Sequence, residues 1–207
     1  MTPETGTRDA SAVTIEIGGD EGLGGAVRAL RRKVFCEEEG FLEDMVETPM
    51  DGRGIHIVLR SGDEPVGCVT VVPPEYSSGF AGEVGLPEAY VGRAALITKM
   101  AVASGHRKSR LATLMVACID RFIFGPRGYR YAFVVLKGRH ALNEPFYRKL
   151  TGADRVAEGQ CPYGEQVVLI MDRQAQPFQS AATDILDAQL RESGSWILPG
   201  SAYPPKS

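Results

Sequence analysis

The sequence lacks paired cysteines and long apolar runs. Its four cysteines, Cys36, Cys68, Cys118 and Cys161, lie far apart, without the close pairs of zinc sites and redox motifs. We expect reduced thiols, mostly in the core, and no metal site. No apolar run approaches the ~20 residues of a membrane span, and residues 1–12 lack the apolar stretch of a secretory signal. These absences favour a cytoplasmic protein with no membrane partner.

An excess of one charge is also missing. The chain has 23 Lys and Arg against 26 Asp and Glu, a net charge of -3. A general nucleic-acid binder needs a broad basic surface, so this class is excluded as a partner and any anion site must be local. The hydrophobic fraction of 43% and charged fraction of 24% are those of an ordinary globular protein.

Hydrophobic periodicity predicts one domain at residues 13–173, after a flexible N-terminus at 1–12 and before a C-terminal helix with a Gly/Pro-rich tail at 174–207. Residues 40–53 are predicted to be a mobile connection and 73–92 a long loop. The predicted strands are 13–17, 55–60, 66–72, 94–103, 131–136 and 166–171. The predicted helices are 23–39, one that begins near 108 and ends at Gly125-Pro126, 143–150 and 177–190.

One short segment concentrates positive charge. Between a predicted strand and a predicted helix stand His106, Arg107, Lys108 and Arg110. A helix N-terminus offers unpaired N–H groups and the positive end of its dipole, so this segment predicts a phosphate or pyrophosphate site. The alternative is a solvated basic surface.

This segment resembles the GNAT acyltransferase superfamily, whose motif after a strand is Arg or Gln, two residues, Gly, one residue, and Gly or Ala. The resemblance implies that the backbone of the preceding strand pairs with pantetheine amides. The one departure is Arg110, where the family usually has glycine. The residues implied in donor binding are Met100, Ala101, Val102, Arg107, Lys108, Ser109, Arg110, Leu111 and Ala112.

A second block downstream is similar to the family's Asn, spacer, Phe-Tyr block. Here Asn143, Phe146 and Tyr147 stand at the matching positions. The resemblance implies that Asn143 meets the pantetheine arm with Phe146 beside it, and that Tyr147 is the general acid that protonates the leaving thiolate. His140 is expected to neighbour the same arm. Without this context, Tyr147 is read as a core residue with a satisfied hydroxyl.

The resemblance implies an α+β fold, the GNAT fold: an α/β/α sandwich with a mixed, mostly antiparallel twisted sheet and helices on both faces. It also implies an N-acyltransferase that needs no metal. The acceptor is expected to be the amine of a small molecule or amino acid. The donor is either acyl-CoA or the phosphopantetheine of an acyl-carrier protein, which is then also a partner. We expect a monomer or a homodimer.

A direct transfer needs a group that removes the amine proton. The candidates are Glu75 and Glu83 in the predicted loop, and His56 on a strand. The alternatives are solvated glutamates and a structural histidine. Lys99, in an apolar strand, is expected to reach solvent at an edge of the sheet.

Residues 30–41 have a narrower likeness, to acyl-homoserine-lactone synthases and N-acyl amino acid synthases. That likeness implies substrate-binding roles for Arg32 and Phe35, and Asp51 and Arg110 fit it loosely. A plain amphipathic helix explains the same residues. Two other functions stay open: a non-catalytic regulator that binds CoA or a carrier protein, and a protein or peptide N-acetyltransferase.

Overall fold

The computed structural model describes residues 13–175, 180–193 and 196–197. The predicted flexible N-terminus and most of the Gly/Pro-rich tail lie outside these residues. The strands are β1 (Val13–Gly18), β2 (Ile55–Ser61), β3 (Glu64–Val72), β4 (Ala94–Val102), β5 (Tyr131–Lys137), β6 (Asp154–Cys161), β7 (Gly164–Asp172) and β8 (Trp196–Ile197).

Six α-helices alternate with these strands among the described residues. They are α1 (Asp20–Arg31), α2 (Pro74–Glu83), α3 (Leu111–Cys118), α4 (Gly125–Arg127), α5 (Glu144–Thr151) and α6 (Ser180–Ser193). Two of them continue as π-helical segments, α1 through Arg32–Glu38 and α3 through Ile119–Phe124. No described helix has both the length and the apolar character that crossing a bilayer requires.

The strands form one mixed sheet in the order β6-β7-β5-β4-β3-β2-β1-β8. All neighbours are antiparallel except β4 with β5 and β1 with β8. Alternate strand residues face opposite sides of the sheet, where they join three apolar clusters, one on one face and two on the other. Ile57 and Val69 pack towards α3 and α6, whereas Val58 packs towards α1 and Leu96 towards α2. The predicted mostly antiparallel sheet with helices on both faces is therefore confirmed.

Helix α1 follows from its apolar spacing. Leu23, Val27, Leu30 and Val34 recur every three or four residues, so they form one stripe against the sheet. The same spacing puts Arg31, four residues after Val27, on the buried side of the helix. The prediction of a helix over 23–39 is confirmed, with its start three residues earlier, at Asp20.

Two elements differ from the prediction. The expected loop at 73–92 contains helix α2, which begins with Pro74 in its first turn, a position where proline's missing N–H costs nothing. Gly79 and Gly82 have low helix propensity, so the sequence pattern does not indicate this helix. Strand β6 was not predicted, because this edge strand is mostly polar and exposed and its pairing with β7 is interrupted by a bulge after Arg155.

The helix expected near residue 108 begins instead at Leu111. Lys108 and Arg110 both have positive φ, which is incompatible with a right-handed helix. Its end was predicted two residues too early: the helix continues through the short α4, and Gly128, with φ of 68°, ends it. The predicted C-terminal helix is present as α6.

Candidate functional site

Strands β4 and β5 separate within the sheet. They pair only from Ala94 with Tyr131 to Leu96 with Phe133. Beyond this point β4 stays paired with β3 and β5 with β7, so the facing edges at 97–102 and 134–137 are not paired with each other. Two strand edges with unpaired backbone groups can accept an extended, amide-bearing ligand as an added strand.

The gap between these strands opens a cavity of about 770 Å³ that reaches both faces of the sheet. Leu111 and Tyr147 line it on the face of α3, and Phe35 and Phe80 on the face of α1 and α2. Its size suits a small-molecule ligand. The predicted donor-site residues that line it are Met100, Ala101, Val102, Arg107, Lys108, Arg110, Leu111, Ala112, Asn143 and Phe146.

The loop between β4 and α3 has a backbone suited to an anion. Lys108 and Arg110 adopt φ values of 71° and 65°, and Arg110 directly precedes the first turn of α3. Left-handed residues beside right-handed ones turn successive N–H groups towards one point, which forms an anion-binding concavity. The positive φ also explains why glycine suits the position of Arg110. Ser109 does not line the cavity, and its hydroxyl donates to the carbonyl of His106.

Arg107 is already engaged by acidic side chains. Its Nη2 lies 2.8 Å from Oε2 of Glu38 and 3.0 Å from Oε1 of Glu39. Its Nε donates to the carbonyl of Val102 at 3.3 Å. A phosphate that binds Arg107 therefore competes with these two carboxylates.

Helix α5 brings the second predicted block to the cavity. Asn143 stands directly before the helix, and Phe146 and Tyr147 lie in its first turns. Burial raises the pKa of Tyr147 to about 12. A phenol is protonated at neutral pH with or without this shift, so it is the position of Tyr147 at the cavity that suits it to act as a general acid.

None of the three predicted proton acceptors lines the cavity. Glu75 and Glu83 are exposed near the two ends of α2. His56 is buried on β2, where Nδ1 lies 2.6 Å from the hydroxyl of Thr70. Burial, reinforced by the charge of Arg31, lowers the pKa of His56. The geometry favours the structural reading of this histidine.

A buried ion cluster stands behind the cavity wall. Oδ1 of Asp51 accepts a hydrogen bond from Arg31 at 2.8 Å, and Oδ2 lies 2.5 Å from Nζ of Lys99. The expectation that Lys99 reaches solvent is wrong, since its side chain is only 7% exposed. Lys99 has a φ of 52° and lies at a β-bulge, where β4 has one more residue than the facing part of β3. The bulge turns its side chain towards the interior. Segment 40–53, predicted to be mobile, is thus anchored at Asp51.

The two predicted substrate-binding residues of the first helix lie in different environments. Phe35 is buried and lines the cavity. Arg32 does not line it; its side chain is 53% exposed and pairs with Glu43 at 3.1 Å. The arginine that points into the protein is Arg31, and the helical spacing from Val27 is the signal that could have identified it.

Two further polar residues line the cavity that the sequence pattern does not indicate as proton acceptors. Glu39 ends the π-helical segment after α1, and His140 lies in the turn between β5 and α5. Nε2 of His140 lies 3.0 Å from Oε2 of Glu39. The residues are distant in the sequence, so no local pattern predicts their contact.

The sequence matches no family model and no curated protein. Solved structures do resemble it. An acyl-CoA N-acyltransferase from Pseudomonas aeruginosa has a TM-score of 0.59 at 11% identity, covering 77% of this chain and 99% of that one. The CoA-dependent acyl-homoserine lactone synthase BjaI, solved with SAM and isopentyl-CoA, has a TM-score of 0.61 at 13% identity and covers 94% and 95%.

FeeM, an N-acyl amino acid synthase from uncultured soil microbes, has a TM-score of 0.56 at 15% identity and covers 77% of this chain and 90% of FeeM. At such identities the likeness concerns the arrangement of helices and strands, including the mostly antiparallel mixed sheet. The chain has the GNAT fold of these acyltransferases.

Proposed function

We propose that this protein is an N-acyltransferase that moves an acyl group from a pantetheine thioester to the amine of a small molecule or amino acid. The observation that carries the proposal is the gap between β4 and β5, with the basic loop before α3 at one end. A pantetheine arm has two amides for the strand edges and a phosphate for the loop. The fold similarity to acyltransferases agrees with it.

Acyl-CoA is the donor that we propose. Its pyrophosphate matches the concave backbone at Lys108 and Arg110, while Arg107 can exchange its carboxylate partners for phosphate oxygens. The similar synthase BjaI is described as CoA-dependent. A carrier protein presents only one phosphate to this loop.

The acyl group is proposed to be longer than acetyl. Met50, Phe80 and Val135 line the cavity on the face of α2 and pack against the same apolar cluster. An alkyl chain gains free energy from burial against such a wall, at roughly 25 cal/mol per Å² of apolar surface. An acetyl group is too small to use it.

The reaction requires a neutral amine to attack the thioester carbon. The C–N bond forms, the C–S bond breaks, and the sulfur takes a proton from the hydroxyl of Tyr147. The bulge at Lys99 interrupts the regular pairing of β4 with β3 beside the cavity. A backbone N–H released from regular pairing can stabilise the oxyanion that develops during attack.

A transfer assay tests this function. Acetyl-CoA, octanoyl-CoA and an octanoyl-carrier protein are each incubated with the amino acids and with simple primary amines, while released thiol and amide mass are measured. We expect octanoyl-CoA to give the highest kcat/KM. Absence of transfer from all donors would refute the enzyme; tight CoA binding without transfer would support a non-catalytic regulator.

A further inference from the structure

Glu39 and His140 form an unusual buried pair at the wall of the cavity. Oε2 of Glu39 and Nε2 of His140 are 3.0 Å apart, and the two side chains are 13% and 23% exposed. Both atoms are buried, and neither completes a well-aligned hydrogen bond within the described part of the chain. Buried polar atoms are normally satisfied, so a pair of this kind at a cavity wall requires an explanation.

Two aromatic rings fix the imidazole of His140. The ring of Phe41 stacks on it at 5.2 Å with an interplanar angle of 29°. The ring of Phe35 meets it edge-on at 6.1 Å and 90°. Since Phe35 also lines the cavity, the imidazole is held in one orientation at the cavity surface.

Glu39 does not need His140 to balance its charge. Its Oε1 lies 3.0 Å from Nη2 of Arg107, and its Oε2 lies 3.7 Å from Nη2 of Arg139. Without a bound donor, two guanidinium groups therefore compensate the carboxylate, and Arg139 stays beside it where a phosphate takes Arg107. The contact between the two side chains therefore matters more for the imidazole than for the carboxylate. A carboxylate beside a histidine favours one tautomer of the ring and stabilises its protonated form.

The second ring nitrogen of His140 remains available. No hydrogen bond to Nδ1 is formed by the residues that the structure describes, and Nδ1 is not among the buried unpartnered atoms. The carboxylate of Glu39 beside Nε2 favours the tautomer with the proton on Nε2, although the contact is not a well-aligned hydrogen bond, and this tautomer leaves the lone pair on Nδ1. This is the protonation state that a general base requires.

We infer that His140 is the general base that accepts the proton of the attacking amine, and that Glu39 is its positioning residue. The inference rests on the proposed acyl transfer. As the amine nitrogen bonds to the thioester carbon, one of its protons passes to Nδ1. The C–S bond breaks, and the sulfur takes the proton of Tyr147. His140 then returns its proton to the tyrosinate through solvent, so the cycle is balanced.

Several charged groups surround His140. Glu39 faces it from the π-helical segment, Arg139 precedes it in the same turn, and Arg107 reaches Glu39 from the loop before α3. Beyond Phe41, the hydroxyl of Tyr163 donates to Asp44. Variants of His140 itself separate its contribution to the rate from the contributions of these groups.

The test uses octanoyl-CoA and the amine that gives the fastest thiol release with the wild type. H140Q and H140A are expected to lower kcat by about 10²-fold or more while KM for octanoyl-CoA is unchanged. The fall of kcat at acidic pH should disappear in H140Q. Added imidazole should restore turnover in H140A. E39Q should lower kcat to a smaller degree, and its matched control E37Q, on the exposed face of the same helical segment, should not.

The outcomes separate the two proposals. Full activity of H140Q beside an active wild type overturns the inference and leaves the acyltransferase standing. A loss of activity in H140A that imidazole does not restore, or an unchanged acid limb in H140Q, also overturns it. A wild type that releases no thiol with any amine refutes both.

Discussion

Lys99 and Asp51 form an ion pair of 2.5 Å in a region almost closed to solvent. The other oxygen of the same carboxylate binds Arg31 at 2.8 Å, so one buried anion joins two buried cations. This cluster connects α1 to the bulge of β4 and thereby fixes the cavity wall. Buried charges of this kind are tolerated only while their partners are present.

Replacement of one cation should therefore destabilise the fold strongly. We expect R31M to lose about 3–5 kcal/mol of unfolding free energy, because Asp51 then keeps Lys99 as its one charged partner among the described residues, beside the hydrogen bonds from Thr48. Urea denaturation measures the loss. The neighbouring R32M is the matched control, since Arg32 is exposed, and its unfolding midpoint should not change. Equal midpoints for both variants would contradict the buried cluster.

Acid should weaken the protein through Asp51. Burial alone raises the pKa of Asp51, but the charges of Arg31 and Lys99 outweigh burial and hold it at about 2, below its ordinary 3.8. Because the folded pKa is the lower one, the contribution is complete above about pH 4 and is lost as pH falls towards about 2. The difference corresponds to about 2 kcal/mol. Urea unfolding between about pH 5 and pH 2 should show this loss, and D51N should show a flatter dependence.

Replacement of Arg110 by glycine should raise the stability of the protein and weaken donor binding. The φ of 65° at Arg110 is unfavourable for a side chain with a Cβ, so R110G is expected to stabilise the protein by about 0.5–1 kcal/mol. The same change removes a charge from the anion loop, so affinity for octanoyl-CoA should fall and depend less on salt. Thermal unfolding and calorimetric titration at two salt concentrations measure both effects. R110K, which keeps charge and backbone strain, should resemble the wild type; unchanged donor affinity in R110G would show that Arg110 does not contact the donor.

Tyr147 should matter for the chemical step and little for binding. Tyr147 lines the cavity, and its hydroxyl, whose pKa burial raises to about 12, is protonated at neutral pH. We expect Y147F to lower kcat by about 10²-fold or more with an unchanged dissociation constant for octanoyl-CoA. Stopped-flow thiol release and calorimetry provide the two values. A parallel loss of donor affinity would instead indicate a role in packing against the donor.

Much of the site was predictable because its motifs are local. The anion loop combines a strand end, a basic run and a helix start within residues 102–112, and α5 presents Asn143, Phe146 and Tyr147 from one short helix. The base was not predictable in this way. His140 follows β5 and Glu39 follows α1. The two side chains meet only when β5 is paired within the sheet and α1 is packed on its face.

The sequence by itself determined the elements whose apolar residues repeat with a clear period, including the stripe of α1 and the buried strands, because periodicity is a property of neighbouring residues. It also determined the basic loop between β4 and α3, for which we propose a role in phosphate binding. Only the tertiary structure decided which charges are buried and which polar groups meet. Arg31 and Asp51 are 20 residues apart, and Asp51 and Lys99 are 48 apart. A charge enters the interior only when the fold supplies its partner, and that partner is chosen by packing across the sheet rather than by local pattern.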